Sequence, residues 1–425
     1  MSTSTVFILN SAMLPYFLWL LLITLAAGIS WLVHKTTRGL PSKARFLIVV
    51  PAHNEEVGIA RTVRSCQAID YPPHLFETLV LADNCQDTTA EIARRLGATV
   101  VERQDLSRKS KGFALEDLFG QLNRSGRIDD FDAVVVIDAD STVDARILRA
   151  FAKRLDAGDD WVQAFDTVGN QGDSWRTRLM TYAFCLINGT TLLGQNALGL
   201  SASLRGNGMC LSTRGLRRVP WSSHGLAEDE EFSWALRLAG ETIVFEPEAV
   251  VHAVMLREGG SAASSQRRRW EYGRKDARRR TLRPLLGSEN LSWKAKLCSL
   301  VELTLPNTVN IILVYALITA LNLYLIFSGM GSSPLLRGLL IGSTALMTIS
   351  LALYALSPFW IFRLPWRFAL SLAYFPFYAI WKLAIMVQGR PRQWVRAKRS
   401  HSFLKSSTRS ASGVLCPPYR PDSVH

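Results

Sequence analysis

The chain is poor in the residues and motifs that would mark several common protein classes. Its six cysteines (Cys66, Cys85, Cys185, Cys210, Cys298 and Cys416) are scattered among 425 residues, with no Cys-x-x-Cys pair and no Cys/His cluster. That spacing excludes a disulfide scaffold and a structural zinc site, and the cysteines read as reduced cytosolic thiols. No Gly-x-x-x-x-Gly-Lys-Ser/Thr occurs, and the first predicted strand runs into Pro51-Ala52-His53-Asn54-Glu55-Glu56 where a phosphate-cradling loop would need glycine, so a P-loop enzyme is excluded. Gly206-Asn207-Gly208 lacks the third glycine of a dinucleotide fingerprint. Repeats and low-complexity stretches are missing too, which excludes a solenoid.

Charge is absent where it matters most. Met13 to Val33 has 21 residues without a charged side chain, and at about 1.5 Å per residue they span roughly the 30 Å hydrocarbon core of a bilayer. The stretch has no basic segment before it and is too long for a cleaved signal peptide, so it reads as a transmembrane helix after an N-terminal extension, residues 1–12. Leu305 to Phe327, Gly338 to Trp360 and Phe368 to Val387 are also long enough to cross, giving about three C-terminal membrane segments within 305–388. The last contains Pro376 and Lys382 and reads as a kinked or re-entrant segment. Hydrophobic residues make up 48% of the chain, which suits a multi-pass membrane protein.

The net charge of +14 sits beside these segments: Lys35, Arg38, Lys43 and Arg45 after the first, the arginines of 267–283, Arg363 and Arg367, and a basic tail, 389–425. Such a distribution fits anionic lipid headgroups, with no nucleic acid among the partners. By the positive-inside rule the middle segment faces the cytoplasm at the plasma (inner) membrane. A basic tail on the same side requires that the last segment not cross fully.

From Arg45 short apolar runs alternate with amphipathic stretches, the pattern of βαβ units on a mostly parallel sheet. Strands are expected at Phe46–Val50, Phe76–Ala82, Ala98–Glu102 and Asp132–Ile137. Helices are expected after Asn54, with Val57, Ala60 and Val63 on one face, and at Thr88–Leu96 and Gly112–Leu122. Open parallel sheets bind ligands at the carboxyl ends of their strands, and Asp83 and Asp138-Ala139-Asp140 fall at two such ends.

Four signals then follow in fixed order. Asp83 can accept a hydrogen bond from a uracil N–H, or form an Asx turn. Asp138 and Asp140 project on the same side of an extended chain, where both can reach one hard cation such as Mg2+ or Mn2+. Glu228-Asp229-Glu230 opens an amphipathic helix and either complements its dipole or supplies a general base. Gln266, Arg269 and Trp270 share one helical face: Arg269 can fork onto a diphosphate, Gln266 can add a hydrogen bond, and Trp270 can offer its ring to an acceptor sugar. Generic juxtamembrane basicity explains the other arginines.

The order Asp, Asp-x-Asp, Glu-Asp, Gln-x-x-Arg-Trp resembles the inverting family 2 glycosyltransferases, the group of the cellulose, chitin and hyaluronan synthases and ceramide glucosyltransferase. The resemblance implies an α/β GT-A fold (Rossmann-like, mostly parallel sheet) over residues 45–285, including an interfacial Gln-x-x-Arg-Trp helix. It implies that Asp140 chiefly holds the metal while Asp138 contacts the nucleotide, that Asp229 is the catalytic base, and that Glu228 lies on the acceptor side with Trp270. Lys111 matches a Lys-Gly-x-Ala-Leu segment near the nucleotide, although a surface lysine would read the same, and His252 is either a further metal ligand or a core histidine. One base without a second carboxylate nucleophile implies single displacement with inversion. The expected function is transfer from a UDP-sugar to a hydroxyl of a growing β-linked polysaccharide or lipid-linked glycan, with export or assembly proteins as further partners. Single addition to a glycolipid is the alternative. A non-catalytic nucleotide-sensing scaffold would have lost some of these side chains, and none is missing.

Overall fold

The computed structural model describes residues 3–33, 42–328 and 333–389. Lys35, Arg38 and the basic tail beyond Gly389 lie outside them. The first helix, α1 (Thr3–Val33), begins well before Met13, because the segment expected to be an extension is held by neighbours: Val6 is buried, and the Asn10 amide donates to Asn322 Oδ1 at 2.9 Å.

The α/β part follows as β1 (Phe46–Ala52), α2 (Ile59–Gln67), β2 (Phe76–Asp83), α3 (Thr89–Arg95), β3 (Thr99–Arg103), α4 (Lys111–Arg124), β4 (Ala133–Val136), β5 (Ser141–Val143), α5 (Ile147–Asp156) and β6 (Trp161–Val168). Then come α6 (Trp175–Phe184), a π-helical turn at Cys185–Thr190, α7 (Thr191–Ala197), β7 (Met209–Ser212), α8 (Thr213–Arg218), α9 (Glu228–Leu238), β8 (Ile243–Ala253) and α10 (Ser261–Gly287). After α11 (Trp293–Thr304), the chain continues through α12 (Thr308–Phe327) and α13 (Pro334–Ile361), a 3-10 stretch at Trp366–Tyr374, and α14 (Phe375–Val387).

The eight strands form one sheet, β3-β2-β1-β4-β7-β6-β8-β5. β1–β2, β1–β4, β2–β3 and β6–β8 pair in parallel, while β7 runs against β4 and β6, and β5 against β8. Every residue of β4 and β6 is buried, as expected of strands covered on both faces. The sequence places the first four strands within a residue or two. It misplaces α2: Asn54 is left-handed (φ 55°) and sits in a loop, and the buried stripe is Ile59, Thr62, Val63 and Cys66 instead of Val57 and Ala60.

One face of the sheet packs on α2 and α5. The other shares a single hydrophobic core with α1, α12 and α13. Phe165 of β6 stacks on Phe362 at 4.9 Å, and Gly194 of α7 lies so close to α1 that a Cβ there would stand 2.1 Å from the Ile23 carbonyl oxygen. Among the described residues, four helical segments are long and apolar enough to cross a membrane: Thr5–Val33, Thr308–Phe327, Pro334–Ile361 and Trp366–Val387. The last is broken at Phe375, where 3-10 geometry gives way to α-helix just before Pro376.

Candidate active site

Asp138 and Asp140 follow β4, and their backbone is pinned from below by α2. Thr62 Oγ1 donates to the Ala139 carbonyl at 2.8 Å and Arg61 Nη2 to the Asp140 carbonyl at 3.0 Å. These bonds leave the carboxylates facing the carboxyl end of the sheet. Lys111, the first residue of α4, reaches across with its ammonium 2.5 Å from Asp138 Oδ1 and also donates to the Gly206 carbonyl. Burial works against its charge, but Asp138, Glu228 and Asp229 together raise its pKa above the ordinary lysine value. The lysine is therefore part of the acidic cluster, and the surface reading falls.

The start of α9 is brought to the same place by the segment before it. Trp221 Nε1 donates to the Gly112 carbonyl at 3.1 Å, and the His224 ring stacks on Phe113 at 4.1 Å. Phe232 and Trp161, with ring centroids 5.6 Å apart, seat the helix on the sheet. Gly206 has φ +77°, and a Cβ on it would stand 3.2 Å from Asp229 Oδ2; the position thus needs glycine for its backbone and to leave the carboxylate in place. Burial, then the flanking Glu228 and Glu230, push the Asp229 pKa up from 3.8 to about 7.

Sequence reasoning missed Asp166 and Asn188, and read Asn207 only as part of the Gly206-Asn207-Gly208 loop. Asp166, the one acid of β6, is buried and accepts from Asn207 Nδ2 at 3.0 Å. Burial, then the nearby Asp138 and Asp140, raise its pKa well above the ordinary carboxylate value. Asn207 is the hub: its Nδ2 also donates to Ser141 Oγ at 3.0 Å, and its Oδ1 accepts from the Asp138 backbone N–H at 3.1 Å. The π-helical turn adds Asn188, which donates to the Asp166 carbonyl at 3.1 Å; such turns recur at functional sites. A lone acid in the strand Trp161–Val168 was the available signal.

Asp83 ends β2 as expected, but its Oδ1 already accepts from Arg103 Nη1 at 2.7 Å and from Asn84 Nδ2 at 2.9 Å. Arg103 is held in turn by Asp117 and Asp105. The aspartate is thus the anchor of an ion-pair network. His252 lies in β8 opposite Thr142. Among the described residues no three His, Cys, Asp or Glu side chains gather as a ready metal cage.

Gln266, Arg269 and Trp270 lie on α10, which is helical as expected. Trp270 packs on Val168, Met180, Ala253 and Met255 at the ends of β6 and β8. One turn on, a Cβ on Gly273 would stand 2.8 Å from the Ala227 Cβ, and Arg274 lies 3.5 Å from Glu230. The helix therefore crosses the base of α9 directly beside the acidic cluster. The Nε of Arg269 is buried and has no hydrogen-bond partner among the described residues.

A curled α/β sheet carrying an Asp-x-Asp turn, with a later acidic helix start at its carboxyl edge, defines the GT-A class of fold. The same fold is seen in the mannosyltransferase PcManGT of Pyrobaculum calidifontis, solved with GDP-Man and Mn2+, at a TM-score of 0.54 and 17% identity, covering 85% of this chain and 99% of that one. Residues 43–273 match the model described as Glycosyltransferase like family 2, and the chain belongs to that family. Among curated relatives, the beta-monoglucosyldiacylglycerol synthase of Trichormus variabilis is 26% identical over 53% of this chain and 48% of its own length. A probable glycosyltransferase of Bacillus subtilis, YdaM, is 31% identical over 22% of each chain. The matched parts span about half or less of these relatives.

Proposed function

We propose that the protein transfers a sugar from a UDP-sugar to a hydroxyl acceptor, in one inverting displacement, at the cytoplasmic face of the plasma (inner) membrane. The observation that carries this reading is Asp229: a half-buried carboxylate, beside the Lys111–Asp138 pair, whose pKa is raised to about 7. A general base works best when its pKa lies near the operating pH, and such a base contributes about 10² to 10⁴-fold. Asp229 takes the acceptor proton as its oxygen attacks the anomeric carbon. Glu228 and Trp270 border the acceptor side, while Asp83, Lys111, Gln266 and Arg269 serve the nucleotide and its diphosphate.

The donor set fits a hard divalent cation, Mg2+ or Mn2+. Asp138 and Asp140 offer carboxylate oxygens; Asp138 is held by the Lys111 ammonium, and the charge of the two carboxylates adds to burial in raising the Asp166 pKa. Asp140, with Asp138, would hold the ion. When bound, it stabilises charge on the departing diphosphate. Lys111 keeps Asp138 oriented meanwhile, and Asn207 fixes the turn.

The acceptor is a growing β-linked polysaccharide or a lipid-linked glycan, with membrane lipids and export or assembly proteins as partners. Four candidate spans and a relative named as a glycolipid synthase favour the second reading, addition of a single sugar to a lipid. UDP release by the full-length chain, assayed with a panel of donors, is the test: Asp140→Asn and Asp229→Asn should each lose turnover while folding normally. Retained turnover in both would end the proposal. Product length separates the two acceptors, a ladder marking polymer and one lipid-linked product marking single addition.

A further inference from the structure

A second cluster of unused charge lies on the membrane side of Trp270. Arg176, in the first turn of α6, is 7% exposed, and its Nε has no hydrogen-bond partner. Among the described residues no carboxylate lies within ion-pair distance of it; the Trp381 ring lies 5.0 Å from the guanidinium carbon. Burial, with Arg267 adding repulsion, lowers its pKa from the ordinary arginine value. The side chain opens into a narrow cleft that it lines together with Gln266, Arg267, Trp270 and Tyr378. Arg267 donates to the Tyr378 hydroxyl and stands 3.8 Å from Glu271, but Glu271 is already bound at 2.7 Å by Lys382. One carboxylate thus answers Arg267 and Lys382, and nothing answers Arg176. A buried cation without a counter-charge costs several kcal/mol, so an anion from outside the described residues is the natural complement.

We propose that this cleft is a phosphate site, and that the phosphate is the headgroup of a membrane lipid held beside the acceptor position. The walls come from α6, α10 and α14, and α14 belongs to a candidate span. Trp175 stacks on Tyr374 at 5.1 Å nearby, an aromatic pair of the kind that gathers at headgroup depth. The interior holds about 10 Å³, room for roughly one water-sized atom. One phosphate oxygen enters between Arg176 and Gln266, and the remaining oxygens stay at the open mouth, where Arg267 reaches them. Arginine suits the task because its planar fork matches phosphate geometry. The inference rests on the transferase reading only for its link to the acceptor; the binding site itself does not.

The test is lipid binding without donor. The full-length chain in uncharged detergent micelles is titrated with dioleoyl phosphatidic acid, with dioleoylglycerol or with inorganic phosphate, and Tm is followed. Phosphatidic acid should raise Tm where dioleoylglycerol does not, and Arg176→Gln should weaken that response about tenfold or more. Arg178→Gln, an exposed arginine of the same helix, should leave it unchanged. A response to inorganic phosphate that also depends on Arg176 keeps the site and assigns it a soluble phosphate. Equal responses to the two lipids, or equal losses in the two variants, overturn the proposal. Should Arg176→Gln not fold, Arg267→Gln carries the same comparison. Binding with no UDP release in any donor would leave this site standing and remove the transferase reading; turnover without selective binding would do the reverse.

Discussion

At the scale of single residues, the site is governed by how many carboxylates share one buried space. Asp229 holds its proton more tightly in the folded chain than in the unfolded one, where the ordinary value of 3.8 applies. Stability therefore falls as pH rises from about 4 through about 7, and over the upper part of that range the proposed base would lose its proton. Turnover should climb with pH to a plateau above about 7, and Asp229→Asn should lose about 10² to 10⁴-fold in kcat yet melt higher than the parent at pH 8. A melting point that drops would show the carboxylate to be structural. Asp166 behaves differently. Its burial beside Asp138 and Asp140 favours the neutral acid, so Asp166→Asn should keep stability at pH 7, whereas Asp166→Leu strands the Asn207 amide and should cost about 1–3 kcal/mol in urea denaturation.

Among elements, the decisive contact is α10 against the start of α9. The spacing of Gln266, Arg269 and Trp270 made their shared helical face legible in the sequence. That the helix would lie on Ala227 was not, because the contact depends on Gly273, a residue with no chemistry of its own. Gly273→Ala would drive a methyl to within 2.8 Å of the Ala227 Cβ and 2.9 Å of its nitrogen. Overpacking of this kind costs about 1–3 kcal/mol. Turnover should fall further than that loss of stability accounts for, since the displaced helix carries Trp270; unchanged kcat and KM would separate α10 from the site. The helix after Asn54 shows the opposite failure. An Asn followed by two glutamates looked like a cap, but Asn54 Oδ1 accepts from the Gln86 backbone and the Glu55 N–H donates to Thr89, so these residues tie two loops together and the helix starts later.

For the whole molecule, the α/β domain and the candidate membrane-spanning helices share one hydrophobic core. The core on one face of the sheet runs without interruption from Phe165 to Phe362 and Phe17. The buried Glu271–Lys382 pair, with side chains 9% and 5% exposed, fastens α10 to α14. Removing one partner leaves the other charged and buried, so Glu271→Gln or Lys382→Met should each cost about 3–5 kcal/mol. Replacing both by apolar residues should restore most of that, and a double-variant Tm no better than the singles would refute the pairing. The pair sets Lys382, within the candidate span Trp366–Val387, directly against α10.

The sequence by itself determined the strand-and-helix alternation, the long apolar segments and the identity of the chemical groups, because periodicity, run length and side-chain type are local properties. It could name Asp138, Asp140, Asp229 and the α10 triad for the same reason. Only the tertiary structure decided which groups share a space. Asp166 and Asn207 joined the cluster, Asp83 was claimed by Arg103, and Arg176 was buried without an anion. Electrostatic environment falls steeply with distance and rises with burial, and both quantities come into being when distant stretches of chain are packed together.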